Sequence, residues 1–461
     1  MNMNKVKSFF AQENIDQIFK YVYLFHIVIS ATSILYGTFL NKITSASVLL
    51  LAAVVLGYRL LHIKKYSKYP FIILYLLFLV SMIISMAVNI RYGIGSNLKI
   101  LIWTVIQFGC LYLFDPERPE EVYKQELVRT SWVISVLGFV FNIISIGMLF
   151  SFYTAFREVA DGTSFLIGYA SWGRLYGVFA DPNYASVCSC IAVIAGIYLL
   201  MLTKEKKKRV FLWIANITSF LFIIFSASRT GLVVSCVGLG LYAFQYMLLK
   251  KKGLLKAIGA VFLVIAMIFG VQKASIAGVS LYSKVTAEMR VKNEDKSSEE
   301  VKIGRDSELS GDISNRRFDI WKDAVAVVKQ EPVFGITFGN IVPYVKDKLP
   351  DAYIITNDFQ VFNAFHNMFL DLLACQGLAG FVIFLSIIVC SLWYTLKCRS
   401  KQSEEDQKRC IFLFSACSAI VVSSLFVSEI LYVHNLCTVV FWTLWGYLVY
   451  FSSIAETNNR K

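Results

Sequence analysis

The chain has 461 residues, 57% of them hydrophobic and only 16% charged, with a formal net charge of +14. That balance excludes an ordinary soluble protein and points to a membrane protein. Apolar runs of about 17 to 25 residues recur along it, each long enough to cross a hydrocarbon core as a helix.

In chain order the predicted spans are Ile18–Leu40, Thr44–Ile63, Phe71–Asn89, Leu98–Phe114, Ser131–Phe152, Tyr184–Leu202, Val210–Ser228, Gly231–Leu249, Leu254–Val271, Leu372–Leu396, Ile411–Ser428 and Leu436–Phe451. The first 20 residues mix Lys with Glu and Asp ahead of a full-length run, which predicts an uncleaved first helix and not a signal peptide. Short loops rich in Lys and Arg stay on the cytoplasmic side. "HIKKYSK", "TKEKKKR", "LKKKG" and "KCRSKQSEEDQKR" therefore face inward, and alternating about twelve spans from an inward N-terminus satisfies all four. Of the 45 Lys and Arg, 26 fall inward, 6 on short outward connections and 13 on one long outward segment. The expected fold is an all-α integral membrane protein with one large extracytoplasmic loop and both termini cytoplasmic.

The organisation predicted is a nine-span bundle over 1–272, the large loop over 273–365 and a three-span bundle over 366–461. The loop carries 13 basic and 14 acidic residues, so the net charge of the chain reflects topology and a basic surface facing anionic lipid. No nucleic-acid groove is implied. The ten cysteines lie in or beside predicted spans, and none has metal-ligand spacing. The loop's centre, "MRVKNEDKSSEEVKIGRDSELSGD", is polar. From "SNRRFDIWKDAVAVVKQ" a helical pattern returns, with Phe318, Trp321, Val325 and Val328 at three- and four-residue steps, and Glu331-Pro332 stops it.

Four places carry candidate chemistry. In "FSASRTGLVVS", Arg229 interrupts two apolar runs that would otherwise merge; it either snorkels to headgroups from a turn or lines a cavity and binds an anion. In "SWGRLYGVFADPNYAS", Asp181-Pro182 opens a helix, with Asp181 as cap. A helix start is also friendly to anions, and Arg174 lies just upstream. In "SNRRFDIW", Arg316 and Arg317 are adjacent in a polar stretch. In "AFHNMFLDLLACQGLAG", His366 and Asn367 stand at the mouth of the tenth span, and the glycines beyond them predict close helix packing. Of the other histidines, His26 and His62 are expected near the cytoplasmic ends, and only His434 on the outer side.

All four places fall on the outer face, where arginines and an imidazole suit an anionic, lipid-carried substrate. The order "RLYGVFADPNYAS", "SASRTG", "RRFDIW", "EPVFGITFGN", "FHNMFLDLLACQGLAG" resembles the O-antigen ligase and O-antigen polymerase superfamily of bacterial membrane glycosyltransferases, over about residues 174 to 380. The resemblance implies transfer or polymerisation of glycan carried on undecaprenyl pyrophosphate, at the extracytoplasmic side of the bacterial cytoplasmic membrane, in surface polysaccharide biosynthesis.

By that resemblance Arg229, Arg317 and His366 are the catalytic candidates, with Arg316 a duplicate that leaves the loop arginine uncertain by one place. Arg316, Arg174, Asp181, Asn183 and Asn367 are candidates for substrate contacts. The implied partners are an undecaprenyl-pyrophosphate-linked oligosaccharide donor, a glycan or lipid-linked acceptor, and the bilayer; no cofactor or metal is expected. The implied reaction is a single displacement at the anomeric carbon, with inversion. Two other classes fit an outward cationic cavity less well: an exporter of lipid-linked sugars, which would show related halves, and a non-catalytic scaffold.

Overall fold

A computed structural model describes residues 12–160, 162–292, 303–304, 316–357, 360–399 and 402–458. Each predicted apolar run falls at least partly on a helix, because in hydrocarbon the backbone must satisfy its own polar groups. The principal helices are α1 (Gln12–Ala31), α2 (Phe39–Leu61), α3 (Ile72–Val88), α4 (Gly95–Ile106), α5 (Glu120–Phe150), α6 (Pro182–Leu202), α7 (Lys206–Phe225), α8 (Arg229–Leu249), α9 (Leu254–Lys292), α10 (Arg317–Gln330), α11 (Ile341–Lys348), α12 (Met368–Arg399), α13 (Glu404–Ser423) and α14 (Leu436–Asn458). Eight of them (α2, α5, α6, α7, α8, α9, α12 and α14) contain stretches long and apolar enough to cross a membrane. The chain is thus a mostly helical, multi-pass membrane protein.

Burial separates the centre of the bundle from its rim. In the most apolar 18-residue stretch of α14 89% of the residues are buried inside the protein, and in that of α6 72%, whereas in that of α9 only 17% are. Around α14 the core is aromatic: Trp442, Trp445, Tyr447 and Tyr450 are inaccessible or nearly so. A buried ion pair pins α14 to α1 and α5. Lys20 Nζ lies 2.7 Å from Glu126 Oε1, and the Tyr447 hydroxyl donates to the same oxygen at 2.5 Å.

Several expectations are corrected. α1 ends at Ala31, not Leu40, and a turn leads on to α2. α9 runs through Val271 to Lys292, and its Tyr282 hydroxyl donates to Phe150 O at 2.9 Å, tying it to α5. Most of the polar centre of the predicted loop lies outside the described residues. On α10, which does end before Glu331-Pro332, the buried stripe is Ile320, Ala324 and Val327; Phe318 and Val325 are exposed.

A three-stranded antiparallel sheet, unexpected in an all-helical reading, joins α5 to α6. It comprises β1 (Thr154–Glu158), β2 (Ser164–Ala170) and β3 (Arg174–Gly177) in the order β1-β2-β3. Thr154 pairs with Gly168 across the first ladder and Ala170 with Arg174 across the second. Beyond β3 the chain is stapled to the end of α1: Ser33 N donates to Val178 O at 2.9 Å and Ala180 N to Ala31 O at 3.0 Å.

A second irregular segment is locked to α12. That helix breaks at Gly377, which has φ 60° and ψ −165°. The stretch 332–337, a turn running into irregular chain, lies in the break. Ile336 N donates to Ala374 O, Thr337 N to Cys375 O, Leu378 N to Pro332 O and Ala379 N to Val333 O, at 2.8 to 3.2 Å. Gly335 also has positive φ, and a Cβ there would lie 2.4 Å from Ala374 O; one on Gly377 would lie 2.3 Å from the Val333 backbone. The close approach at Gly377 is therefore between backbone segments, not between two helices. It holds the loop against the same end of the bundle as the sheet, opposite the end where Lys250 pairs with Glu404 and Lys124 with Asp406.

Candidate functional site

Asp181 and Ser228 each cap a helix, and the two caps are neighbours. Asp181 Oδ1 accepts from Asn183 N at 2.6 Å, with Pro182 in the first helical position of α6. Ser228 Oγ accepts from Gly231 N at 3.1 Å at the start of α8, whose first residue is Arg229. Asn183 Oδ1 joins them, accepting from Ser228 Oγ at 3.1 Å and from Arg174 Nη2 at 2.5 Å. Arg174 is buried and also donates through Nε to Ser226 O at 2.9 Å. Two helix starts and two arginines thus gather at one place, and partial positive charge from both helix ends adds to the cations.

The capping expectation for Asp181 is met, and its carboxylate does more than cap. It lies within electrostatic reach of His366, as does Arg317. His366 is half-buried, in the left-handed region at φ 52°, and its ring meets Phe362 edge-on at 5.5 Å. Burial pushes its imidazole below the ordinary value, Arg317 pushes the same way and Asp181 opposes them. The ring is therefore a free base near neutral pH. Arg317 is the first residue of α10, with its guanidinium 5.8 Å from the Phe426 ring centre.

The unusual backbone at His366 is fastened on both sides by a residue sequence reasoning missed. Asp371 is wholly buried in the first turn of α12; its Oδ1 accepts from Phe365 N at 2.7 Å and its Oδ2 from Ser428 Oγ at 2.5 Å. It ties the histidine loop to the connection between α13 and α14. Glu429 follows Ser428. It too is inaccessible, and neither carboxyl oxygen has a hydrogen-bond partner; Ser423 and Cys437 lie beside it outside bonding geometry. Burial pushes Glu429 up to about 8, with Asp181 adding to the shift. An acidic residue directly after the apolar run Ile411–Ser428 is the signal that would have found it.

Not every candidate joins the site in the same manner. Asn367 Oδ1 accepts from Phe369 N at 3.0 Å and Leu370 N at 3.3 Å, so its oxygen caps α12. Arg316 is exposed and donates to the Tyr353 hydroxyl at 3.3 Å. His434 stacks on Trp103 at 3.8 Å between ring centres, with Tyr23 and His26 at 5.5 and 5.7 Å. His26 is thus near the site end of α1, not the basic end, because that helix stops at Ala31. Among the described residues no group of three or more His, Cys, Asp and Glu is arranged to hold a metal ion. All ten cysteines are free and buried or half-buried.

Comparison with known proteins bears on part of this arrangement. Residues 214–385 match the family described as O-antigen ligase. A stretch of 214 residues is 24% identical to an uncharacterised protein of Haemophilus influenzae, covering 45% of this chain and 49% of that one. The chain thus spans about half the length of the curated relative it matches. The family match includes Arg229, Arg316, Arg317, His366, Asn367 and the break at Gly377; Arg174, Asp181, Asn183, Glu429 and His434 fall outside it. Over residues 214–385 the chain is thus similar to the O-antigen ligase family.

Proposed function

We propose that the protein transfers or polymerises glycan from an undecaprenyl-pyrophosphate carrier at the outer face of the bacterial cytoplasmic membrane, without a metal and with inversion. The observation that carries this reading is the convergence of Arg174, Arg229 and Arg317 with a neutral, half-buried imidazole at the end of the bundle opposite the Lys-rich loops. In the reaction an acceptor hydroxyl oxygen forms a bond to the anomeric carbon as the carbon–oxygen bond to pyrophosphate breaks. The bonding pair leaves with the pyrophosphate and the hydroxyl proton passes to His366. Arg229 and Arg317 stabilise the charge growing on the leaving group, a task some transferases give to a divalent cation. The Asn183 bridge positions Arg174 and the start of α8 for the same anion. Glycan or lipid-linked acceptors both fit this reaction.

The test is transfer by the purified protein in lipid, with and without chelator. Arg229→Ala and Arg317→Ala are each expected to abolish transfer while the protein stays folded. Lysine at either position should rescue poorly, since a point charge does not reproduce a two-pronged phosphate contact. Full activity in both alanine variants would overturn the anion site, and loss of wild-type activity on chelation would overturn the metal-free mechanism.

A further inference from the structure

Beside the cationic site lies a cavity of about 260 Å³ with a different chemistry. Its wall includes Tyr36, Phe165, Phe179, Asp181, Tyr184 and Asn435, and it contains neither Lys nor Arg. Phe165, on β2, meets Tyr36 edge-on at 5.2 Å, so the sheet roofs one side of the cavity. Arg157 on β1 holds that roof from outside, donating to Ser33 O at 2.6 Å and Tyr36 O at 3.0 Å. Near the wall's other end, His434 also lines the cavity; its Nε2 and the Nδ2 of Asn435 are buried without partners. Buried polar groups left unsatisfied carry a desolvation cost unless a ligand or water meets them.

The charge pattern decides what fits. Burial pushes His434 down to about 3, with His26 and Lys99 adding to the shift, so its ring is uncharged at neutral pH. The remaining polar groups are one carboxylate, an amide and hydroxyls, which match the alternating donors and acceptors of a sugar but not a phosphate. Aromatic faces match the apolar face of a pyranose ring. The volume lies just below the roughly 300–1,000 Å³ of pockets for drug-sized ligands, room for one ring and not for several. Asp181 belongs both to this wall and to the surroundings of His366, so the cavity adjoins the reacting end.

We propose that this cavity is a sugar subsite, holding one uncharged pyranose ring against Tyr36 and Phe165 with Asp181 and Asn435 as polar contacts. Its place in catalysis rests on the transferase reading above; its ability to bind sugar does not. The ring belongs either to the lipid-linked donor or to the acceptor, and the experiment separates the two.

The test uses the full chain in nanodiscs and saturation-transfer NMR with methyl glycosides of glucose, galactose and N-acetylglucosamine. At least one glycoside should bind saturably to the wild type. Phe165→Ala should weaken it tenfold or more, Phe165→Tyr should restore it, and Asp181→Asn, which keeps the helix cap, should weaken it also. Arg229→Ala and Arg317→Ala should leave glycoside binding unchanged even as they abolish transfer. If Phe165→Ala also removes the affinity difference between undecaprenyl-pyrophosphoryl-N-acetylglucosamine and bare undecaprenyl pyrophosphate, the ring is the donor's. If that difference persists while glycoside binding falls, the ring is the acceptor's. Absence of saturable binding to the wild type, or equal binding by wild type and Phe165→Ala, would overturn the subsite whatever the arginine variants show.

Discussion

His366 and Glu429 are two titratable side chains at one end of the bundle with opposite displacements. The imidazole lies below its ordinary value because of burial and Arg317, so it is ready to accept a proton. Positioned general bases are worth roughly a hundred- to ten-thousand-fold in rate. His366→Ala is expected to lose about that factor in turnover while donor binding survives, with His434→Ala much milder in turnover. The wild-type rate should fall only as pH drops below about 6.5, the ordinary value of a histidine; a limb centred above that would mean the ring is not the base. Glu429 makes the reverse prediction for stability. Below about pH 4 both folded and unfolded chains hold its proton; between about 4 and 8 only the folded chain does. Folding then binds a proton, so stability falls as pH rises through that window and levels off above it. Glu429→Gln should flatten that decline, measured as thermal unfolding in detergent at pH 5 and pH 8. Parallel declines in wild type and variant would show that another group titrates.

At the scale of elements, apolar length was the legible signal. Every predicted run falls at least partly on a helix, and eight of the twelve fall on helices long and apolar enough to cross a membrane. Some ends were legible, as where Asp181-Pro182 opens α6; α1 overran because nothing in "SATSILYGTFL" is polar enough to stop a hydropathy reading. The sheet was passed over for a related reason. Its strands are short and flank a hydrophobic run, although Asp161-Gly162 between them is a hairpin signal. At the site, the arginines and His366 were legible as polar residues in apolar surroundings. Asp371 was not, since its role comes from loops far apart in sequence meeting through Ser428; Glu429 was legible only as an acidic residue directly after the run Ile411–Ser428. The lock between 332–337 and α12 gives a direct test. Gly377→Val would place side-chain atoms where a Cβ alone would lie 2.3 Å from the Val333 backbone, in a conformation that suits glycine. It should release the loop, seen as faster proteolysis between α10 and α12, and lower transfer more than it lowers helix content. Unchanged proteolysis would mean the segment is held elsewhere.

Across the whole molecule the chemistry divides by ends, and the division settles which test of orientation is sharp. Lys- and Arg-rich connections gather where Lys250 meets Glu404; the capped helix starts, the sheet, His366 and the 332–337 lock gather at the other end. Since short basic loops remain in the cytoplasm, the site end should face outward. Labelling can read this cleanly because all ten native cysteines are buried or half-buried and give a low background. An exposed reporter at each end is available: Asp351, just before the helical turn Tyr353–Thr356, and Ser403, the cap of α13. A membrane-impermeant maleimide should modify Asp351→Cys in intact cells and Ser403→Cys only after permeabilisation. Should Ser403→Cys label from outside, the cationic site would face the cytoplasm. A carrier-linked donor presented outside would then be out of reach, and the proposed reaction would fail even if every arginine and histidine variant behaved as expected.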